Sequence, residues 1–267
     1  MNQQSKVAVI GAGVMGEALI AALISSGVNP DRITISEKRE ERARELISKY
    51  LIKAAPLTSN VADADALLLV VKPQDMAAVL EEIKGSINST AVVITFAAGK
   101  TISFISNGLG TGNPVVRVMP NTPTLVAQGM AAASMGAGVT AAQREFVLGF
   151  LGATGKVIEV TEDLQDAVTA TSGSGPAYFF AFVEAMVAGA KELGLSDHDA
   201  TPLTIQTIVG AAKLLDESGK SARTLRENVT SPNGTTAAAL ASFGNDNLNS
   251  MVAKAMKAAR DRSQELA

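Results

Sequence analysis

The sequence predicts an α/β domain built on a parallel sheet, followed by an all-α domain, and two observations carry this prediction. In the first part of the chain, short apolar runs alternate with stretches of helical periodicity, which is typical of parallel strands covered by helices on both faces. After about Val160, strand-like runs become rare and Ala, Leu, Glu and Lys recur at helical spacing. We therefore divide the 267 residues into domains 1–160 and 161–267.

The strands of the first domain are expected in short, mainly apolar segments. In chain order these are Val7–Ile10, Arg32–Ser36, Ala66–Val71, Ala91–Phe96 and Val115–Met119, of which the first and third are wholly apolar. Apolar residues that recur every three or four positions predict helices at Glu17–Ser26, Glu40–Tyr50 and Gln74–Ile83. The charge-free segment 118–143 is interrupted by Pro and Gly, so it is interpreted as buried loop and sheet rather than a membrane-spanning helix.

The second domain is predicted to consist of long helices. Helical periodicity places them at Phe179–Leu193, Thr204–Glu217 and Leu248–Leu266. Their Ala- and Gly-rich apolar residues indicate close packing, and packing against a second chain is a hypothesis that follows from it.

The composition excludes several classes of function. The chain has no Cys, which excludes disulfides, thiolate zinc sites and a cysteine nucleophile. Its one histidine, His198, argues against a multi-His metal site or a Ser-His-Asp triad, and its polar surroundings predict an exposed structural residue. A net charge of −3 and 4% aromatic residues argue against a nucleic-acid partner. Because no export signal or membrane segment is recognisable, we expect a cytoplasmic protein without a membrane partner.

The residues between the first strand and the first helix have the G-x-G-x-x-G spacing. They are Gly11, Ala12, Gly13, Val14, Met15 and Gly16. Directly after a buried strand, such glycines allow a tight turn and close approach to a pyrophosphate, whose charge the helix N-terminus stabilises. This context predicts a Rossmann-type dinucleotide-binding domain and disfavours the alternative of a glycine turn without a ligand.

The choice of cofactor is expected to depend on the end of the second strand. Glu37 lies where an acidic residue would bind the ribose 2′-hydroxyl of NAD, whereas Ser36, Lys38 and Arg39 could bind the 2′-phosphate of NADP. A carboxylate beside that phosphate would repel it unless Glu37 turns outward. NADPH is the expected cofactor, with NADH as the alternative.

Two segments rich in small residues are unusual in the second half of the chain. They are Thr171–Ala177, before the expected long helix, and Thr230–Thr236. Both are interpreted as loops that present backbone amides and hydroxyls at helix N-termini, where a carboxylate could bind without Arg or Lys. Helix capping alone is the alternative for either loop.

Seven sequence blocks resemble pyrroline-5-carboxylate reductases, in order and over nearly the whole chain. They are GAGVMG at 11–16, VKPQ at 71–74, FAAG at 96–99, RVMPNTP at 117–123, SGSGPAY at 172–178, LRENVTSP at 225–232 and GTT at 234–236. The block at 172–178 and the block at 225–232, with the GTT that follows it, are specific to this family.

The resemblance implies that NADPH, or less often NADH, reduces the cyclic imine of 1-pyrroline-5-carboxylate to L-proline, the last step of proline biosynthesis. Gly11–Gly16 would hold the pyrophosphate, with Ser36 and Asn60 near the adenosine ribose-phosphate. The groove toward the nicotinamide would be lined by Val71, Lys72, Pro73, Ala97 and Ala98. The residues expected around the substrate are Ser172, Gly173, Ser174, Gly175, Ser231, Asn233, Gly234, Thr235 and Thr236.

Within this set the resemblance gives Thr236 the catalytic role, because its hydroxyl would reach the ring nitrogen. Asn233 stands where the family usually has glycine, and Asn tolerates positive φ better than most residues. Glu37 stands where the family usually has a neutral residue. The resemblance also implies a homodimer through the helical domain, with each active site combining one chain's cofactor domain and its partner's helices. Five such dimers would form a homodecamer.

Two other functions remain as alternatives. A further imine reductase or a β-hydroxyacid dehydrogenase would have a similar architecture, but the latter needs a helix lysine where this chain has Phe179, and no lysine follows before Lys191. A non-catalytic NADP-sensing module would have no need of Thr236 or of a substrate carboxylate loop.

Overall fold

The computed structural model describes residues 1 and 4–266, which form two compact units. Residues up to Ser174, together with the C-terminal residues from Ala259, form the first unit, and Gly175–Ala258 form the second. Residues 161–174 therefore belong to the same compact unit as the sheet. The division into functional domains at 160/161 remains a prediction.

The first unit alternates strands and helices. Its elements are β1 (Val7–Ile10), α1 (Val14–Ser25), β2 (Ile33–Ser36), α2 (Glu40–Tyr50), β3 (Lys53–Ala54), α3 (Leu57–Ala62), β4 (Ala66–Leu69), α4 (Met76–Ile83), β5 (Val92–Thr95), α5 (Ile102–Leu109), β6 (Val115–Met119), β7 (Gly129–Met135), α6 (Ala141–Gly152), β8 (Gly155–Glu159) and α7 (Gln165–Val168). Short 3₁₀ turns at Pro30–Arg32, Pro73–Asp75, Thr122–Val126 and Glu162–Leu164 connect some of them.

The strands form one sheet in the order β3-β2-β1-β4-β5-β6-β7-β8. Neighbouring strands are parallel from β3 through β6, as the sequence predicts. β7 runs antiparallel to β6 and parallel to β8. The sheet is therefore mainly parallel, and the antiparallel step lies in the segment interpreted as loop and sheet.

Two hydrophobic clusters cover the two faces of the sheet. Within β1, the side chains of Val7 and Val9 belong to one cluster, and those of Ala8 and Ile10 belong to the other. Because successive strand residues point to opposite faces, an all-apolar strand requires helices on both sides. The first cluster includes residues of α1, α2 and α6, and the second includes residues of α4 and α5.

Five helices follow residue 174 in the described part of the chain, and the first two begin earlier than the sequence predicts. They are α8 (Gly175–Glu192), α9 (Asp197–Glu217), α10 (Ala222–Asn228), α11 (Thr235–Asn245) and α12 (Leu248–Glu265), which continues into the residues of the first unit. α9 begins well before Thr204 because the Ser196 hydroxyl caps it, accepting the N–H of Asp199 at 3.2 Å. His198 lies in its first turn with a side chain 95% exposed, which agrees with a structural role.

One expected loop is helical. Thr169–Gly173 form a π-helical turn between α7 and α8, and the interpretation of 171–177 as a loop is wrong. The hydroxyls of Thr171 and Ser172 donate to the carbonyls of Ala167 and Val168, one turn earlier, at 2.8 and 3.2 Å. Their hydrogen bonds are thus satisfied within the helix. Among residues 1 and 4–266, no helix is both long and apolar enough to cross a membrane.

Candidate active site

The segments that follow five parallel strands meet at one edge of the sheet, where the strands' carboxyl ends lie. They are the glycine turn 11–16 after β1, Ser36–Arg39 after β2, Val70–Pro73 after β4, Phe96–Ala98 after β5 and Met119–Thr122 after β6. β1 is flanked by β2 and β4, so the strand order reverses beside it. Open α/β sheets bind ligands in the crevice at such a switch point.

The three glycines of the turn are required for three different reasons. Gly11 has φ +88°, and a Cβ there would lie 2.9 Å from the carbonyl oxygen of Val70. A Cβ on Gly16 would press against the carbonyl oxygen of Gly11. A Cβ on Gly13 would meet no atom of the described residues within 4 Å. The first and third glycines permit the turn and the packing of α1, whereas Gly13 leaves open space for a ligand.

The N-terminus of α1 opens at that space. Gly13 precedes the helix with an extended backbone, and no side chain of the described residues caps it. The first amides of a helix lack partners inside the helix and carry a partial positive charge. An uncapped terminus beside an open glycine therefore fits a dinucleotide pyrophosphate.

Two side chains hold the peptide groups of Ala12 in the turn. Its N–H donates to Glu37 Oε2 at 3.0 Å, and its carbonyl accepts from Arg42 Nε at 3.1 Å. The backbone N–H and the Nε of Arg39 both donate to Glu37 Oε1 at 3.0 Å. The turn is thereby fixed by residues that follow β2 and lie in α2.

Arg42 is itself held by Glu17 in the first turns of α1. The Glu17 carboxylate accepts hydrogen bonds from Arg42, from Lys49 at 2.9 Å and from the Tyr50 hydroxyl at 3.0 Å. The bond from Lys49 is the main reason that the pKa of Glu17 falls to about 2, and together with the bonds from Arg42 and Tyr50 it outweighs the opposing effect of burial. This cluster was not predicted from the sequence, although the lone carboxylate of the apolar α1 is a usable signal.

Ser36 and Asn60 are joined to each other behind the expected ribose site. Asn60 Nδ2 donates to the Thr34 carbonyl at 3.2 Å and to Ser36 Oγ at 3.0 Å. Ser36 Oγ donates to the Ala55 carbonyl at 2.9 Å. These bonds order the end of β2, and the role of both residues toward the ribose-phosphate remains a prediction.

An apolar cavity of about 340 Å³ lies beside the glycine turn. Its lining residues are Met15, Val70, Val71, Lys72, Pro73, Phe96, Ala97, Ala98, Met119, Pro120, Asn121, Thr122 and Gly173. The structure thus brings together all five residues expected to line the nicotinamide groove and adds Met119–Thr122. Sequence analysis singled out that last segment as a motif without giving it a role.

The segment 172–175 is only partly brought to this cavity. Gly173 lines it, whereas the Ser172 hydroxyl is engaged with Val168 and the backbone N–H of Ser174 donates to the Thr169 carbonyl at 2.8 Å. Gly175 is buried at the start of α8 and belongs to the second compact unit. The role of these residues toward the substrate remains a prediction.

The second small-residue segment is a tight turn before α11 in the second unit. The Gly234 N–H donates to the Ser231 carbonyl at 3.0 Å, and Asn233 adopts φ +61°. The Asn in place of the family's glycine therefore keeps the left-handed conformation of the turn. α11 begins at Thr235. Its N-cap residue is Gly234, so within the described part of the chain no side chain caps this helix. Thr236 is half-buried in the first turn.

A mainly parallel sheet with a glycine turn at its switch point and an adjacent apolar cavity defines a dinucleotide-dependent oxidoreductase. Residues 6–99 match the model of the family described as NADP oxidoreductase, coenzyme F420-dependent. Residues 162–266 match that of pyrroline-5-carboxylate reductase dimerisation. The chain belongs to the pyrroline-5-carboxylate reductase family.

Individual relatives match over nearly the whole chain. The pyrroline-5-carboxylate reductase of Corynebacterium melassecola is 42% identical over 264 residues, covering 97% of this chain and 98% of the relative. The structure of the enzyme from Coxiella burnetii has a TM-score of 0.91 at 35% identity and covers 99% of both chains. That of Plasmodium falciparum pyrroline carboxylate reductase with NADP bound has a TM-score of 0.87 at 26% identity, covering 100% and 99%.

These matches confirm the resemblance inferred from the sequence blocks. The chain is an oxidoreductase that uses NAD(P)H, and its helical region corresponds to a dimerisation domain.

Proposed function

We propose that this chain carries out its reaction, the reduction of 1-pyrroline-5-carboxylate to L-proline by NAD(P)H, with the substrate carboxylate bound at residues 231–236. The observation that carries this assignment is the N-terminus of α11. It follows a turn with Asn233 at φ +61° and has no capping side chain among the residues described. Its amides are therefore available to a small anion.

The first unit is assigned to the cofactor. Gly13 leaves space for the pyrophosphate at the N-terminus of α1, and the cavity lined by Val71, Pro73 and Ala97 suits the flat nicotinamide ring. When bound, NAD(P)H supplies the hydride. The chain's own residues fix its position, and the apolar lining excludes water from the ring.

The substrate needs little chemical help from the protein. The carbon of a cyclic iminium is already electrophilic, so orientation at contact distance contributes most of the catalysis. The Thr236 hydroxyl orients the ring nitrogen by a hydrogen bond. His198 is exposed on α9 and takes no part. A reaction that depends mainly on orientation agrees with a chain that has one histidine and no cysteine.

The match to a dimerisation domain supports a homodimer. We propose in addition that five such dimers assemble into a homodecamer. The exposed apolar side chains of α8 and α9, among them Phe179, Phe180 and Leu203, support an interface between copies. A location in the cytoplasm remains a prediction from the sequence.

Initial rates with purified protein test the proposed function. With 1-pyrroline-5-carboxylate, we expect loss of the nicotinamide absorbance with NADPH or NADH. The control reaction contains the keto acid that corresponds to a β-hydroxyacid, and there we expect no loss of nicotinamide absorbance. Consumption with the keto acid and none with the cyclic imine would instead favour a β-hydroxyacid reductase.

A further inference from the structure

The position of Glu37 bears on which of the two nicotinamide cofactors, NADH or NADPH, fits the chain better. This inference rests on the proposed function. Glu37 directly follows β2, and its side chain is only 8% exposed. Its carboxylate points toward the glycine turn, where Oε2 accepts the Ala12 N–H at 3.0 Å. A 2′-phosphate could bind beside Glu37 only if this side chain turned outward. The side chain does not do so.

The carboxylate has room for one more donor. An ionised carboxylate has about four acceptor positions. The bonds from Ala12 N, Arg39 N and Arg39 Nε take three of them within the described residues. The remaining position is on Oε2, the oxygen that faces the glycine turn. This oxygen can accept a hydrogen bond from a hydroxyl group, but it has no hydrogen to donate to a phosphate.

Glu37 is also fixed in this orientation. If the side chain swung into solvent, the N–H of Ala12, a residue that is 0% exposed, would lose its acceptor. Burial raises the pKa of Glu37, but the bonds from Arg39 and Ala12 outweigh this and lower its pKa below the ordinary value. The side chain is an anion at neutral pH.

Arg39 is the cation nearest to this charge, and because it pairs with Glu37 the two together leave no net positive charge for a phosphate. Arg39 is committed to Glu37 through Nε, and Arg42 is committed to Glu17, Glu45 and the Ala12 carbonyl. Of the two basic residues that the sequence offers to a 2′-phosphate, Lys38 is exposed and Arg39 already bonds Glu37 through Nε. A second phosphate at this place would thus meet a fixed carboxylate whose neighbouring guanidinium is already paired.

We propose that Glu37 makes NADH the preferred cofactor of this chain, by accepting the ribose 2′-hydroxyl at Oε2 and repelling the 2′-phosphate of NADPH. The general pairing of an acidic residue after the second strand with the 2′-hydroxyl supports the assignment. Glu37 acts here as a specificity-determining residue rather than a catalytic one.

The test compares the dissociation constants of NADH and NADPH by titration of nicotinamide fluorescence, together with kcat/KM for each cofactor. For the unmodified chain we expect NADH to bind at least about tenfold more tightly. In Glu37→Gln, which keeps an acceptor for Ala12 but removes the charge, we expect the NADPH affinity to rise about tenfold and the NADH affinity to change little.

A matched control removes a carboxylate close by. Glu40 is 85% exposed and pairs with Arg44 on the outer side of α2. Glu40→Gln removes the same charge, and we expect the ratio of the two affinities to stay as in the unmodified chain. An equal change in both variants would assign the effect to net charge and overturn the proposal.

The outcomes separate this inference from the proposed function. Tighter binding of NADPH by the unmodified chain overturns the inference, whatever the variants do, and leaves reduction of the cyclic imine intact. Preferred binding of NADH without turnover of 1-pyrroline-5-carboxylate supports the inference and contradicts the proposed function. Binding of neither cofactor contradicts both. If Glu37→Gln does not fold, Glu37→Ser provides the second neutral variant.

Discussion

A Cβ on Gly16 would lie less than 3.0 Å from the carbonyl oxygen of Gly11, closer than side chains approach a backbone in real structures. α1 can therefore pack against the end of β1 only because position 16 has no side chain. The third glycine of the motif serves the packing of the helix, and the second has open space in which we propose that the pyrophosphate binds. This difference can be measured, since one substitution should act on stability and the other on binding.

Gly16→Ala should destabilise the protein. The added methyl group must push α1 away from the turn, and overpacking of this kind costs about 1–3 kcal/mol. Denaturant unfolding measures the change. Gly149→Ala is the matched control, because a Cβ there meets no described atom within 4 Å and the position lies inside α6. We expect the control to be neutral or slightly more stable, and equal losses in both variants would contradict the packing account.

Gly13→Val should have the opposite pattern. The position has φ −67° and open space around it, so the fold accepts a side chain there and the midpoint of unfolding should hardly change. The side chain would occupy the place of the pyrophosphate, and we expect cofactor affinity to fall by at least about a hundredfold, close to 3 kcal/mol. Titration of nicotinamide fluorescence measures the affinity. Retained affinity in a folded variant would contradict the assignment of the turn.

Local patterns predicted much of the fold. Glu40–Tyr50 and Val115–Met119 have the bounds expected from the sequence, because the first has clear helical periodicity and the second is a short, mainly apolar segment. β7 was not assigned from the sequence: Gly129–Met135 is rich in Ala, which has little preference for strands, and its conformation is set by pairing with β6 and β8. Thr171–Ala177 was interpreted as a loop because Ser, Thr and Gly favour turns, yet carbonyls one turn earlier in the helix accept the hydroxyls of Thr171 and Ser172.

The site was predicted to a similar degree. The glycine spacing, directly after a buried strand and before a helix, identified the turn, and the residues expected in the nicotinamide groove do line one cavity. The bonds from Glu37 and Arg42 to Ala12 span 25 and 30 residues of sequence, and no local pattern encodes the direction of a side chain over that distance. The functional roles of the site residues remain predictions.

Thr236→Ala should lower turnover and leave cofactor affinity unchanged. A single neutral hydrogen bond contributes on the order of 1 kcal/mol, so we expect kcat to fall about fivefold. Thr236→Ser retains the hydroxyl and should restore most of the rate. Ser242→Ala, at an exposed position later in α11, serves as the control. Steady-state kinetics and a cofactor titration provide the two measurements, and unchanged kcat in Thr236→Ala would remove this hydroxyl from the mechanism.

The Glu17 cluster predicts a dependence of stability on pH in the acid range. Because the folded pKa is about 2, against an ordinary value of 4.5, the contribution is complete above pH 4.5 and is lost as the pH falls toward 2. We expect about 1–2 kcal/mol, less than the full shift implies, because Lys49 is more than half exposed. The difference in unfolding free energy between the unmodified chain and Glu17→Gln isolates this contribution. A difference that does not shrink between pH 4.5 and pH 2 would contradict the assignment.

The assignment of the substrate carboxylate to the turn before α11 is tested most directly by a crystal structure of the protein with L-proline. We predict that the proline carboxylate accepts hydrogen bonds from backbone amides within residues 231–236, with the ring nitrogen in reach of the Thr236 hydroxyl. Proline bound with its carboxylate on a Lys or Arg side chain, or away from α11, would contradict the account.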